Sequence, residues 1–182
     1  EGRKYNLNAD LGNVRPGPNN TPIHGLLVRE KRWKVASPVA DASSASVTAS
    51  IEYHAYPELA AQFPFAHVFS ITYRLTGGAL EIETSIDNKS TSAMPVSLGY
   101  HPYFKMGDTP REQWTVDLPA STRYQLTERL IPSGVTEKNP YPATIALKDT
   151  LLDDVFGGLK RDAGGFARIT ARAGAQALAY EY

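Results

Sequence analysis

Val68-Phe69-Ser70-Ile71-Thr72-Tyr73-Arg74-Leu75, closed by Gly77-Gly78 and followed by Leu80, Ile82, Thr84 and Ile86 alternating with Glu81, Glu83 and Ser85, decides the fold class. The first run is rich in β-branched and aromatic residues, and the second repeats with a period of two that gathers its apolar side chains on one face. Both read as strands, and the glycine pair between them predicts a hairpin. Downstream, Asn88-Lys89-Ser90-Thr91-Ser92 is short and polar, so a second turn is expected. It should lead into a further strand, Met94-Pro95-Val96-Ser97-Leu98-Gly99, that delivers His101 where Pro102 ends the ladder.

Working outward, residues 33–35 and 46–53 read as extended, with Val47, Ala49 and Ile51 on one face. Residues 58–62 have room for one helical turn between Pro57 and Pro64. Past His101, strands are predicted over 114–118, 144–147, 151–156, 166–171 and 175–182, and residues 119–142 read as a connection punctuated by Pro, Ser and Gly. The N-terminal part alternates weakly at 4–7 and then passes through the turn-rich Pro16-Gly17-Pro18-Asn19-Asn20 to Thr21-Pro22-Ile23-His24-Gly25-Leu26. Many short strands without helix–strand alternation predict an all-β antiparallel sandwich with little or no helix, and 182 residues fit one domain.

Nineteen Lys and Arg balance nineteen Asp and Glu, so no net field draws the chain to nucleic acid or to an anionic membrane. The absence of cysteine excludes disulfides and thiolate catalysis. Apolar runs fall well short of the ~20 residues a membrane helix needs, and the first residues lack a signal-peptide core. A soluble, cytoplasmic protein is expected. The oligomeric state is not legible.

Among the four histidines, His101 and His24 stand out, each in a Pro-constrained or Gly-flanked segment that can present it. His54 and His67 lack such a setting and read as surface or core-edge residues. Asp153 and Asp154 are a pair of which one suits a turn. Arg29-Glu30-Lys31-Arg32 reads as a solvated loop that can also approach a phosphate.

Taken in order, Ile23-His24-Gly25-Leu26, Arg32-Trp33, Phe63-Pro64-Phe65, Tyr73-Arg74-Leu75, Asn88, Gly99-Tyr100-His101-Pro102-Tyr103-Phe104 and Leu152-Asp153-Asp154-Val155-Phe156 resemble the aldose 1-epimerase (galactose mutarotase) family. The resemblance implies a galactose mutarotase-like β-supersandwich whose concave face binds a free aldose such as galactose or glucose. It implies interconversion of α and β anomers without metal or cofactor. By the same resemblance His101 is the catalytic acid toward the ring oxygen, while His24 and Asp153 hold sugar hydroxyls. An imidazole, with an ordinary pKa of about 6.5, donates a proton readily at neutral pH. The family's glutamate base has no match here and is expected beyond Tyr182, and an arginine segment is expected before Glu1, so residues 1–182 are expected to be the central part of a larger sandwich. Two other functions stay open: a hexose-6-phosphate 1-epimerase, which needs a basic clamp, and a non-catalytic carbohydrate-binding sandwich.

Overall fold

The computed structural model describes residues 4–17 and 22–182, and its regular structure is almost entirely antiparallel β. Pro18, Asn19, Asn20 and Thr21 of the expected N-terminal turn lie outside the described residues. The chain divides into two units, residues 1–99 and 100–182.

In the first unit β1 (Arg15–Pro16) pairs with β2 (Pro22–Ile23). The main sheet has five strands: β3 (Lys34–Val35) and β4 (Val39–Ala40) both pair with β5 (Ser44–Glu52), which pairs with β6 (His67–Thr76), which pairs with β7 (Ala79–Asn88). The glycine pair behaves as its chemistry predicts: Gly77 and Gly78 have φ of 56° and 83°, the two positive values a type I′ hairpin turn requires. Register then carries the apolar alternation across three strands. Ile51 opposes Phe69, which opposes Ile86; Ala45 opposes Leu75, which opposes Leu80.

One end of that face is covered. Helix α1 (Pro57–Gln62) begins with a proline at a position whose N–H needs no partner, and it brings the fully buried Leu59 onto Ile51, Tyr53 and Phe69. Trp33 meets Phe69 edge to face, with ring centroids 5.9 Å apart. Gln62 ties the N-terminal segment to this core by accepting from Asn8 N at 2.9 Å. At the other end the same face is bare, with Leu75 55% and Leu80 61% exposed.

The strand expected over residues 94–99 does not form, and His101 does not sit at a strand end: residues 93–106 have no regular secondary structure. Asn88 closes the β7 end with its own side chain, Oδ1 accepting from Ser90 N at 3.0 Å and Nδ2 donating to Ser92 O at 2.9 Å. Lys89 N donates back to Ala66 O at 2.7 Å. Beyond this turn, Pro95 has no donor and Val96 and Leu98 are exposed, so no buried face draws the segment onto β7.

The second unit contains β8 (Trp114–Asp117), β9 (Ala120–Leu126), β10 (Pro132–Lys138), β11 (Thr144–Ala146), β12 (Val155–Leu159), β13 (Arg168–Ala173) and β14 (Gln176–Glu181). They form two antiparallel sheets, β10-β9-β12 and β11-β8-β13-β14. Leu118, Ile145 and Leu147 make a shared core, met by Val116 and Ile169 from one sheet and by Phe156 and Leu159 from the other. Strands β9 and β10 occupy the stretch read as a connection. Ala-Ser-Thr-Arg-Tyr-Gln-Leu shows little apolar alternation, because β9 is held by partners on both sides and by its polar side chains.

Candidate functional site

His24 follows β2 directly and adopts φ of 68°, and Gly25 after it has φ of 67°. A left-handed backbone is natural for glycine and costs a histidine on the order of 1 kcal/mol or more. Leu26 and Leu27 hold the turn in place by packing on the first unit's core, which leaves the histidine exposed at the tip.

The neighbouring charged run is ordered rather than loose. The Glu30 side chain is only 4% exposed, and Arg32 engages it with Nε to Oε1 and Nη2 to Oε2, both at 2.7 Å. Backbone N–H groups of Lys31 and Arg32 each donate to Glu30 Oε1 at 2.9 Å. The Arg32 side chain, followed by these backbone donors, holds the Glu30 carboxyl down to about 2. Arg32 also pairs with Glu58 and lies over the Tyr56 ring at 4.3 Å. An open cavity of about 800 Å³ borders this group and contains none of His24, His101 or Asp153 in its walls.

His101 sits in the second unit, exposed, its ring 5.2 Å from that of Tyr103. Its irregular segment is anchored just downstream. Phe104 approaches Tyr180 of β14 at 6.3 Å, Met106 is buried, and Trp114 Nε1 donates to Thr109 O at 2.9 Å. Gly107, with φ of 54°, passes where a Cβ would lie 3.0 Å from Gln176 Oε1. The histidine is therefore delivered by a loop pinned to β14, not by a strand of the first unit.

The two adjacent aspartates differ sharply. Asp154 is held at both oxygens: Arg123 Nη1 donates to Oδ1 at 3.1 Å and Tyr141 Oη donates to Oδ2 at 3.1 Å. Arg123 pairs in addition with Glu137, its Nε 2.8 Å from Oε1. Donation to Asp154 pushes the Tyr141 hydroxyl up from its ordinary range, and the Arg123 guanidinium lowers the Glu137 carboxyl. Asp153, by contrast, is exposed and, among the described residues, makes no hydrogen bond or ion pair.

His101 and Asp153 thus belong to the second unit and His24 to the first. His67 is buried, stacked on Tyr53 at 4.7 Å and hydrogen-bonded to Phe65 O at 2.7 Å, while His54 bonds His67 O. Arg123, Glu137 and Tyr141 are not legible as site residues in the sequence, because their Pro-, Ser- and Gly-punctuated stretch reads as a connection. The signal available was Thr122-Arg123-Tyr124-Gln125-Leu126, whose large side chains fit a strand. No group of three His, Asp or Glu side chains able to hold a metal occurs among the described residues, and no helix among them is long and apolar enough to cross a membrane.

The chain is similar to a galactose mutarotase-like protein from Clostridium acetobutylicum of known crystal structure, with 21% identity and a TM-score of 0.75. The match covers 87% of this chain and 51% of that one, so this chain spans about half the length of that protein. At this identity the likeness shows the fold, a galactose mutarotase-like antiparallel β-sandwich. A family model described as aldose 1-epimerase matches residues 1–170, nearly the whole sequence. The chain belongs to the aldose 1-epimerase family.

Proposed function

We propose that the protein works as a mutarotase, interconverting the α and β anomers of a free hexose such as galactose or glucose, with His101 as proton donor and His24 and Asp153 as sugar-positioning groups. Family membership over residues 1–170 carries the reading. In the step, His101 gives its proton to the ring oxygen while a base removes the anomeric hydroxyl proton. The C1–O5 bond breaks to the open-chain aldehyde, C1–C2 rotates, and the reverse transfers close the ring on the other face. Proton transfers alone complete this chemistry, so it calls for no cofactor.

What supports the site is that His101 and Asp153 are exposed side chains on anchored backbone, and that His24 occupies a strained position of the kind functional loops retain. The hexose 6-phosphate reading is weaker, because Arg32 of the basic run is already engaged by Glu30 and Glu58. Polarimetry of freshly dissolved α-galactose and α-glucose tests the proposal. A rate above buffer supports it. A rate never above buffer on any aldose, with sugar binding still measurable by calorimetry, replaces it with the carbohydrate-binding reading.

A further inference from the structure

Glu137 on β10, Arg123 on β9 and Phe156 on β12 stand in register across one level of the three-stranded sheet. Arg123 reaches along that level to Glu137 on one side and to Asp154, just before β12, on the other. Tyr141 closes the arrangement. Its hydroxyl takes the second Asp154 oxygen, and its ring meets Phe156 edge-on at 6.0 Å. Tyr141 is itself fixed through its N–H, which donates to Asn139 Oδ1 at 3.0 Å, while Asn139 Nδ2 donates to Ala120 O at 2.8 Å.

Phe156 packs on the Leu118, Ile145 and Leu147 core, and Asp154, two positions before it, is half-buried against Arg123 and Tyr141. In an extended chain successive side chains point to opposite sides. Val155, the first residue of β12, and Asp153, which precedes the strand, are the exposed ones.

We propose that Arg123, Tyr141 and Asp154 are positioning residues for Asp153, acting through the backbone of the 153–156 segment to hold its carboxylate in a sugar-binding orientation. The inference rests on the reading of Asp153 as a sugar ligand. Glu137 supports it by orienting Arg123.

Tyr141→Phe is the sharpest probe, because it removes one hydrogen bond to Asp154 and keeps the ring on Phe156. Galactose and glucose affinity, measured by calorimetry, should weaken by about 3- to 10-fold, and the thermal midpoint should fall by about 2–8 °C because the same bond also holds the free protein together. Asp153→Ala should weaken it further. In the Asp153→Ala background, Tyr141→Phe should have no additional effect on affinity, since nothing is left to position. A purely structural role for the clamp predicts equal Tyr141→Phe effects in both backgrounds, and that result overturns the proposal while leaving the sugar-binding reading intact. Wild-type protein without measurable affinity for any aldose overturns both, and Asp153→Ala binding as tightly as wild type overturns the assignment of Asp153 and the clamp's role with it.

Discussion

Arg32 grips Glu30 with Nε and Nη2 on separate carboxylate oxygens, both at 2.7 Å, although the two residues are only two positions apart. The geometry turns the backbone so that Lys31 and Arg32 N–H groups also point at the same oxygen, and a carboxylate 4% exposed is left with its acceptor sites used. Its pKa in the folded state, about 2, lies below the 4.5 of the unfolded chain. A depressed carboxyl stabilises the fold fully above pH 4.5 and loses that contribution as pH falls toward 2. Glu30→Gln should therefore be destabilising near neutral pH, and the gap from wild type should narrow below pH 4.5. Urea melts of both proteins at pH 7, 5 and 3 check this; a gap that is constant across the series refutes the assignment.

His101→Asn should keep sugar affinity and lower the epimerisation rate by about 10²- to 10⁴-fold, because an amide still hydrogen-bonds but has no proton to give. His24→Ala should instead raise KM along with lowering kcat/KM, as expected for a lost positioning contact. Polarimetric progress curves over a range of galactose concentrations separate the two patterns.

The backbone at His24, with φ of 68°, makes a second measurement possible at the same residue. Glycine tolerates this conformation, so His24→Gly should hold or raise stability by up to about 1 kcal/mol while weakening sugar binding. A melting temperature that falls with His24→Gly would show that the side chain, not the strain, dominates at this position.

Gly158 has φ of 60°, and a Cβ there would run into Ser121 Oγ, which donates to Gly158 O at 3.0 Å. Gly158→Ala should cost about 1–3 kcal/mol through strain and overpacking together. Adding Ser121→Ala should recover only part of the loss, because it clears the collision but leaves the backbone conformation unchanged. Thermal denaturation of the single and double variants resolves the two contributions.

Leu75 and Leu80 are register partners at the exposed end of the β5–β6–β7 face, and among the described residues β7 is the last strand in its sheet. Such an edge invites association between chains. Sedimentation at rising protein concentration checks this: any self-association of the wild type should be weaker in Leu80→Lys, with little change in melting temperature.

The strands that bury a face were legible in the sequence. The Val68 run, the Leu80–Ile86 alternation and the Gly77-Gly78 turn each repeat locally what the sheet requires, because strand period and turn conformation depend on near neighbours alone. The same holds for the helical turn expected at residues 58–62, which forms as α1, and for the family resemblance, which rides on short strings around His24, His101 and Asp153. What the sequence could not show depends on distant partners. Residues 94–99 have strand-like composition yet form none, since Asn88 closes its own turn and no apolar face draws them onto β7. Residues 120–138 lack apolar alternation yet form β9 and β10, since Arg123 finds Glu137 and Asp154, 14 and 31 positions away. Which member of the Asp153-Asp154 pair is tied down was likewise a tertiary matter: the choice is made by Arg123 and Tyr141, and hydrogen bonds between residues far apart in the chain leave no periodicity to read.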